Sequence, residues 1–256
     1  LGVEELFQYR DLIRALIVRD LTVRYRRSAI GFLWTMLHPL MMMLVLEVVF
    51  STLFRFTLKD YPVYVFSGIL FWNFFSQSVV SSMNSLKGNA ALLQKLPVPK
   101  AVFPIATVLS GVVNLVFAMV PLTLVLVATH HGLCVSLVFL PISIIAAAVF
   151  TLGIGLLLSP LAVFFSDVVE MVTVLLTVIM YLTPVIYPLS IVPARFRPIV
   201  ELNPLQMLLR VFRDPIYSCQ IPGPKSLLYA AIVTSIALIC GMAVFQRSAE
   251  RIPYYL

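Results

Sequence analysis

Few residues in this chain of 256 amino acids are equipped for chemistry, and those that are stand apart. Glu47 is the one clear acid inside a long apolar run, with Ser51 and Arg55 following at i+4 steps on one helical face. A carboxylate in such a run is either a proton or cation site, or a group that faces a wet cavity or pairs with Arg55. Aromatic side chains gather at Phe71-Trp72-Asn73-Phe74-Phe75 and recur at Tyr181 and Tyr187. Such rings can stack on the C–H faces of sugars by burying apolar area, or they can form an interfacial belt. No GxxxxGK(S/T) loop is present. Gly223-Pro224-Lys225-Ser226 has its tail but lacks the earlier glycine and the strand that should precede it. HExxH, GxSxG and paired-carboxylate patterns are also missing, so no catalytic residue and no metal site is expected. Cys134, Cys219 and Cys240 are odd in number and lack CxxC spacing. The first two fall on one side of the membrane in the span count below, where a bridge is open to them. The plainer reading is three unpaired small hydrophobes.

The elements that carry these residues must be membrane helices. Apolar residues make up 61% of the chain, charged residues 11%, and the mean hydropathy is +1.03. A soluble domain carries roughly a quarter charged residues, so much of this surface must face lipid. The net charge of +7 could suit nucleic acid. However, Arg10, Arg14, Arg19, Arg24, Arg26 and Arg27 all precede the first long apolar run, where basic residues hold a flank in the cytoplasm. Membrane lipids are therefore the expected partners, and nucleic acid is not. Charge before apolarity is also the wrong order for a cleavable signal peptide.

The pattern predicts an all-α integral membrane protein with two parts. Residues 1–27 form an amphipathic cytoplasmic interface helix, with Leu6, Tyr9, Ile13, Leu16 and Ile17 on one face and Arg10, Asp11 and Arg14 on the other. Residues 28–256 supply six spans, at about Ile30–Phe54, Tyr61–Ser82, Phe103–Ala128, Val135–Val163, Val168–Tyr187 and Ser226–Phe245. Both termini then lie inside. Residues 83–102 become a cytoplasmic loop whose stretch Asn89–Leu96 is a short helix ended by Pro97 and Pro99. Residues 189–224 form an outer segment with two apolar pieces, about 191–201 and 204–217, too short to cross. A membrane protein without its own energy-coupling motif is a channel, an ion-coupled carrier or a subunit powered in trans.

Six stretches resemble one family in order along nearly the whole chain. They are RDLTVRYRRSAIGFLWTMLHPL (Arg19–Leu40), YPVYVFSGILFWNFFS (Tyr61–Ser76), GNAALLQKLPVPKAVFP (Gly88–Pro104), YLTPVIYP (Tyr181–Pro188), LNPL (Leu202–Leu205) and the terminal FQRSAERIPYYL. Together they are similar to the ABC permeases that export O-antigen, teichoic acid and capsular polysaccharide. The resemblance implies a homodimer in the bacterial cytoplasmic membrane, working with two copies of a separate ATPase. That partner would hold ATP and Mg, while this chain binds no cofactor. The helix near Asn89, Leu92, Leu93 and Lys95 would dock into the ATPase, and the pieces within 189–224 would be two short re-entrant helices between spans five and six. The cargo implied is a lipid-linked, undecaprenyl-diphosphate-type glycan. Arg24, Arg26 and Arg27 would meet its diphosphate, and Phe71, Trp72, Phe74, Phe75, Tyr181 and Tyr187 would line its path. The chain departs from the family pattern in Ser166 before Asp167, where an arginine is usual, in Glu47, and in the proline-rich Leu96-Pro97-Val98-Pro99. Two other readings stay open: an ABC permease for drugs, haem or lipids, and an ion-coupled carrier using Glu47.

Overall fold

Long apolar runs with few polar breaks leave the backbone one way to satisfy its own donors and acceptors in lipid, which is to form helices. The computed structural model describes residues 8–25, 31, 33–50, 60–95, 98–132, 134–252 and 255, and no strand occurs among them. The α-helices are α1 (Arg10–Tyr25), α2 (Leu33–Val48), α3 (Tyr61–Gly88), α4 (Ala90–Lys95), α5 (Val102–Ala128), α6 (Leu140–Phe164), α7 (Val168–Leu182), α8 (Arg197–Glu201), α9 (Pro204–Arg213) and α10 (Pro224–Ala249). A 3₁₀ turn, Val135–Phe139, runs directly into α6. Four of these helices are long and apolar enough to cross a membrane: Tyr61–Gly88, Val102–Ala128, Val135–Phe164 and Pro224–Ala249. Leu33–Val48 and Val168–Leu182 are shorter apolar helices.

Helix α1 is amphipathic, with Arg10, Asp11 and Arg14 exposed and Leu16 buried against a cluster that includes Leu86, Phe103 and Phe245. It lies along α5. Helix α3 is the axle of the bundle, contacting α2, α5, α6, α7 and α9. The expected end at Ser82 falls six residues short, because polar residues after it continue the helix to Gly88. Their side chains bond back to the helix: Ser85 Oγ donates to Ser82 O at 2.7 Å and Asn84 Nδ2 to Val80 O at 3.1 Å. A helix tolerates such residues when their side chains are satisfied locally. At 28 residues α3 is about 42 Å long, more than the ~30 Å hydrocarbon layer.

The expected span at Val168–Tyr187 stops as a helix at Leu182. Thr183 precedes Pro184, whose ring disfavours the helical conformation of the residue before it, and Thr183 is extended at ψ 131°. Helices α6 and α10 form the most extensive pairing. They approach through glycine: a Cβ on Gly241 would overlap the carbonyl oxygen of Gly153. Close backbone approach at small residues is how helices gain van der Waals contact in lipid.

Candidate functional site

The stretches singled out in the sequence converge on the two ends of α3. At its N-terminal end, the unwound segment 183–188 is gripped from three sides. Tyr61 Oη donates to Ile186 O at 2.8 Å, and Tyr64 Oη donates to Tyr187 O at 2.9 Å. Arg213, the last residue of α9, donates Nη1 to Pro184 O at 2.9 Å and Nη2 to Val185 O at 2.6 Å. Its guanidinium also lies 3.8 Å from the centre of the Tyr64 ring. The side chain is 7% exposed, so two carbonyl dipoles and an aromatic face replace water around a buried cation. Gly68 makes room for it, since a Cβ there would collide with Arg213 Nη2 and stand 2.5 Å from Val185 O. Asn203 completes the knot. Its Oδ1 caps α9 by accepting from Leu205 N at 3.0 Å, and its Nδ2 donates to Thr183 Oγ1 at 3.0 Å.

A second layer closes over this knot. His131 Nδ1 lies 2.7 Å from Asp60 Oδ2, and its Nε2 lies 2.9 Å from Tyr217 O. Cys134 and Cys219 form a disulfide, which corrects the expectation of unpaired cysteines. The two are 85 residues apart in sequence, and only the fold brings the turn after α5 onto the turn after α9. Ser136 Oγ donates to Pro215 O and Ser143 Oγ to Val211 O, both at 2.8 Å. Among the described residues, Asp60, His130 and Cys219 are the non-glycines in the left-handed region, with φ of 53°, 54° and 54°. All three belong to this cap, and such strain persists only where surrounding contacts over-determine the backbone.

At the opposite end of α3, Asn89 joins α1 to α4. Arg19 Nη1 donates to Asn89 Oδ1 at 2.7 Å, and Asn89 Nδ2 donates to Ser85 O at 2.7 Å. Arg19 also holds Asp20 at 2.9 Å. Leu92 and Leu93 are half-buried against the cluster around Leu86, and Lys95 is exposed. Of the proposed coupling residues, Lys95 therefore faces outward while Asn89 is turned inward. Lys100 Nζ donates to Ala249 O, tying the start of α5 to the end of α10. Burial lowers the pKa of that ammonium, and Glu250 draws it partly back.

Other candidates fall elsewhere. Phe71, Trp72 and Phe75 are interior side chains, with Phe71 packed on Phe212 at 5.7 Å and Phe75 on Phe150 at 5.9 Å between ring centres. Their rings fill the core around the axle helix, so they are not presented to a path in this arrangement. Phe74 is buried as well, at the edge of a cavity, whereas Tyr181 is exposed and Tyr187 donates to Tyr181 O at 2.8 Å. Arg24 is in α1, whereas Arg26 and Arg27 lie outside the described residues, as do Leu6, Ser51, Arg55, Leu96 and Pro97. Glu47 is half-buried, and its Oε2 is enclosed with no hydrogen-bond partner among the described residues. Ser166 Oγ donates to Asp167 Oδ1 at 3.0 Å. Sequence reasoning missed Arg213, although an arginine on an apolar piece too short to cross was a usable signal.

The description of the ABC-2 type transporter family matches residues 11–217. The chain belongs to this family. Its relatives include three that align with 93–97% of this ABC-2 type transporter chain. It is 33% identical over 251 residues to the O-antigen export system permease protein RfbA of Myxococcus xanthus, covering 97% of this chain and 96% of the relative. It is 27% identical over 247 residues to the RfbA of Klebsiella pneumoniae, covering 94% and 93%. It is 24% identical over 245 residues to the polysialic acid transport protein KpsM of Escherichia coli, covering 93% of each.

Proposed function

We propose that this chain is the membrane subunit of an ATP-driven exporter that moves lipid-linked polysaccharide, of the O-antigen type, across the bacterial cytoplasmic membrane. The observation that carries the reading is the full-length likeness to an O-antigen export permease, 97% of this chain against 96% of the relative. In this reading α2 and α7 complete a set of six spans, and both termini are cytoplasmic. The pieces α8 and α9 dip into the outer half of the membrane as re-entrant helices. The knot at Arg213 is then an outer gate, and the end of α3 at Asn89 faces the cytoplasm.

Helices α2 and α7 leave apolar faces bare, with Met41, Leu44 and Val45 exposed on one and Met171, Val174 and Tyr181 on the other. Two copies of the chain meet across these faces, and two copies of an ABC ATPase dock beside α4, where Gln94 and Lys95 are exposed. ATP and Mg are held by that partner. The basic cluster Arg24, Arg26 and Arg27 receives the diphosphate of the carrier lipid at the inner boundary, where guanidinium groups bind phosphate oxygens in pairs. The glycan then passes between the protomers along exposed rings that include Tyr181.

Depleting the protein tests the reading. Lipid-linked oligosaccharide should accumulate inside cells while surface polysaccharide falls, and inactivating the partner ATPase should reproduce both effects. Normal surface polysaccharide with no internal accumulation refutes it.

A further inference from the structure

A cavity of about 810 Å³ opens beside the Asn89 end of α3, walled by α1, α2, α3 and α5. It reaches along α3 from Gly88 to Leu70, a run of about 27 Å at ~1.5 Å per residue. One face of α3 lines it throughout, with Asn73, Gln77, Ser81 and Asn84 recurring at helical spacing. The facing side of α5 contributes Thr107, Ser110 and Asn114. Gln77 is exposed although it sits mid-helix in one of the long apolar spans. Amides in such a place are costly against lipid, so a face built from them marks a watered or ligand-filled space.

The lining selects a ligand class. The side-chain amides of Asn73 and Gln77 each present a donor beside an acceptor, which suits neighbouring hydroxyls of a sugar ring. Thr107 Oγ1 and Ser110 Oγ each donate to their own helix, at 2.9 Å to Phe103 O and Ala106 O, so their lone pairs can still accept. Among the described residues Arg19 is the one arginine or lysine of the lining, and it already holds Asp20 and Asn89. That argues against a phosphate as the principal occupant. Trp34, half-exposed on the α2 wall, offers an indole face for the C–H side of a sugar. The volume lies within the ~300–1,000 Å³ of small-molecule sites.

We propose that this cleft, within a single protomer, binds neutral sugar residues of the lipid-linked chain on the cytoplasmic side before the glycan enters the path between protomers. The inference rests on the exporter reading and adds where the sugar itself is recognised. The diphosphate stays at the basic boundary, so the two parts of one substrate are read at separate places.

The test uses the full chain with its ATPase partner in lipid nanodiscs. Calorimetric binding is compared for a short prenyl diphosphate carrying two N-acetylhexosamine residues, for the same prenyl diphosphate without sugar, and for inorganic diphosphate. The glycosylated probe should bind at least tenfold tighter than the bare one. Asn73→Leu with Gln77→Leu should erase that margin and leave binding of the bare probe unchanged. Leucine suits a membrane helix, and an unchanged melting temperature verifies folding. A single Asn114→Leu change, on the opposite wall, should reduce the margin independently. Equal binding of the two prenyl probes, or a margin that survives in these variants, overturns the cleft site. The same variants are then scored for surface polysaccharide in cells lacking the native gene. If the wild-type chain restores it and the double variant restores it equally, the cleft inference fails while the exporter reading stands. If loss of the gene leaves surface polysaccharide unchanged, both fall.

Discussion

Replacing Gly68 with alanine sets two physical effects of opposite sign against each other. In a helix interior, glycine to alanine ordinarily stabilises by about 0.8–1 kcal/mol, because alanine loses less backbone freedom on folding. At this position the added Cβ would collide with Arg213 Nη2 and stand 2.5 Å from Val185 O. Overpacking a tight site costs about 1–3 kcal/mol, and displacing Nη2 gives up a charged hydrogen bond worth about 1.5–3 kcal/mol. The clash wins, and the net loss is about 2–5 kcal/mol. Gly88→Ala is the control, since nothing lies within 4 Å of a Cβ there. Detergent-solubilised variants heated in steps and run on a sizing column give the melting temperature. Gly68→Ala should melt several degrees below wild type, at ~2–4 °C per kcal/mol, while Gly88→Ala should not. In an Arg213→Met background the penalty of Gly68→Ala should shrink, because the colliding group is gone and contacting residues couple. Equal melting of Gly68→Ala and Gly88→Ala would refute the clamp.

Further predictions concern the two ends of α3 and the basic boundary. Cys134→Ser with Cys219→Ser should lower stability by about 2–5 kcal/mol, read as a lower melting temperature that no longer responds to added thiol. Arg19→Ala removes the link between α1 and Asn89 and should weaken co-purification of the ATPase partner, while a surface control, Arg10→Ala, leaves it intact. Replacing Arg24, Arg26 and Arg27 together with Gln should reduce export at least tenfold while the ATPase still co-purifies, and normal export in that variant would remove the diphosphate role.

Hydropathy located the long helices closely. The expected Phe103–Ala128 and Ser226–Phe245 correspond to α5 (Val102–Ala128) and α10 (Pro224–Ala249). Apolar counting finds long apolar helices, and these two are left uncovered by the rest of the chain over much of their length. It misjudged α3, where Asn84 and Ser85 look like the end of a span but bond their side chains to their own helix. The same blindness hid the chemistry. Phe71, Trp72 and Phe75 were open to sugar stacking or to an interfacial belt, and they fill the interior. Arg213, Tyr61 and Tyr64 went unnoticed because their partners are backbone carbonyls more than 25 residues away in sequence, and carbonyls carry no residue-type signal. The disulfide was open in the sequence, since Cys134 and Cys219 fall on one side of the span count, but nothing there favoured it over unpaired thiols. A separation of 85 residues conveys nothing until the turns after α5 and α9 are stacked.

Helix α3 is fastened at both ends and enclosed along most of its length, with 78% of its apolar window buried. Tyr61 and Tyr64 hold the segment 183–188 at one end, and Asn89 is roped to Arg19 at the other. A rod so anchored works as a lever. A tilt of about 5° applied at Asn89 moves the far end of a ~42 Å helix by about 4 Å. That is longer than any hydrogen bond in the knot, so on the exporter reading a small push on the Asn89 side would unlatch the opposite side. Signal and response then share one piece of backbone, and the time between them is set by how fast the neighbours of α3 repack.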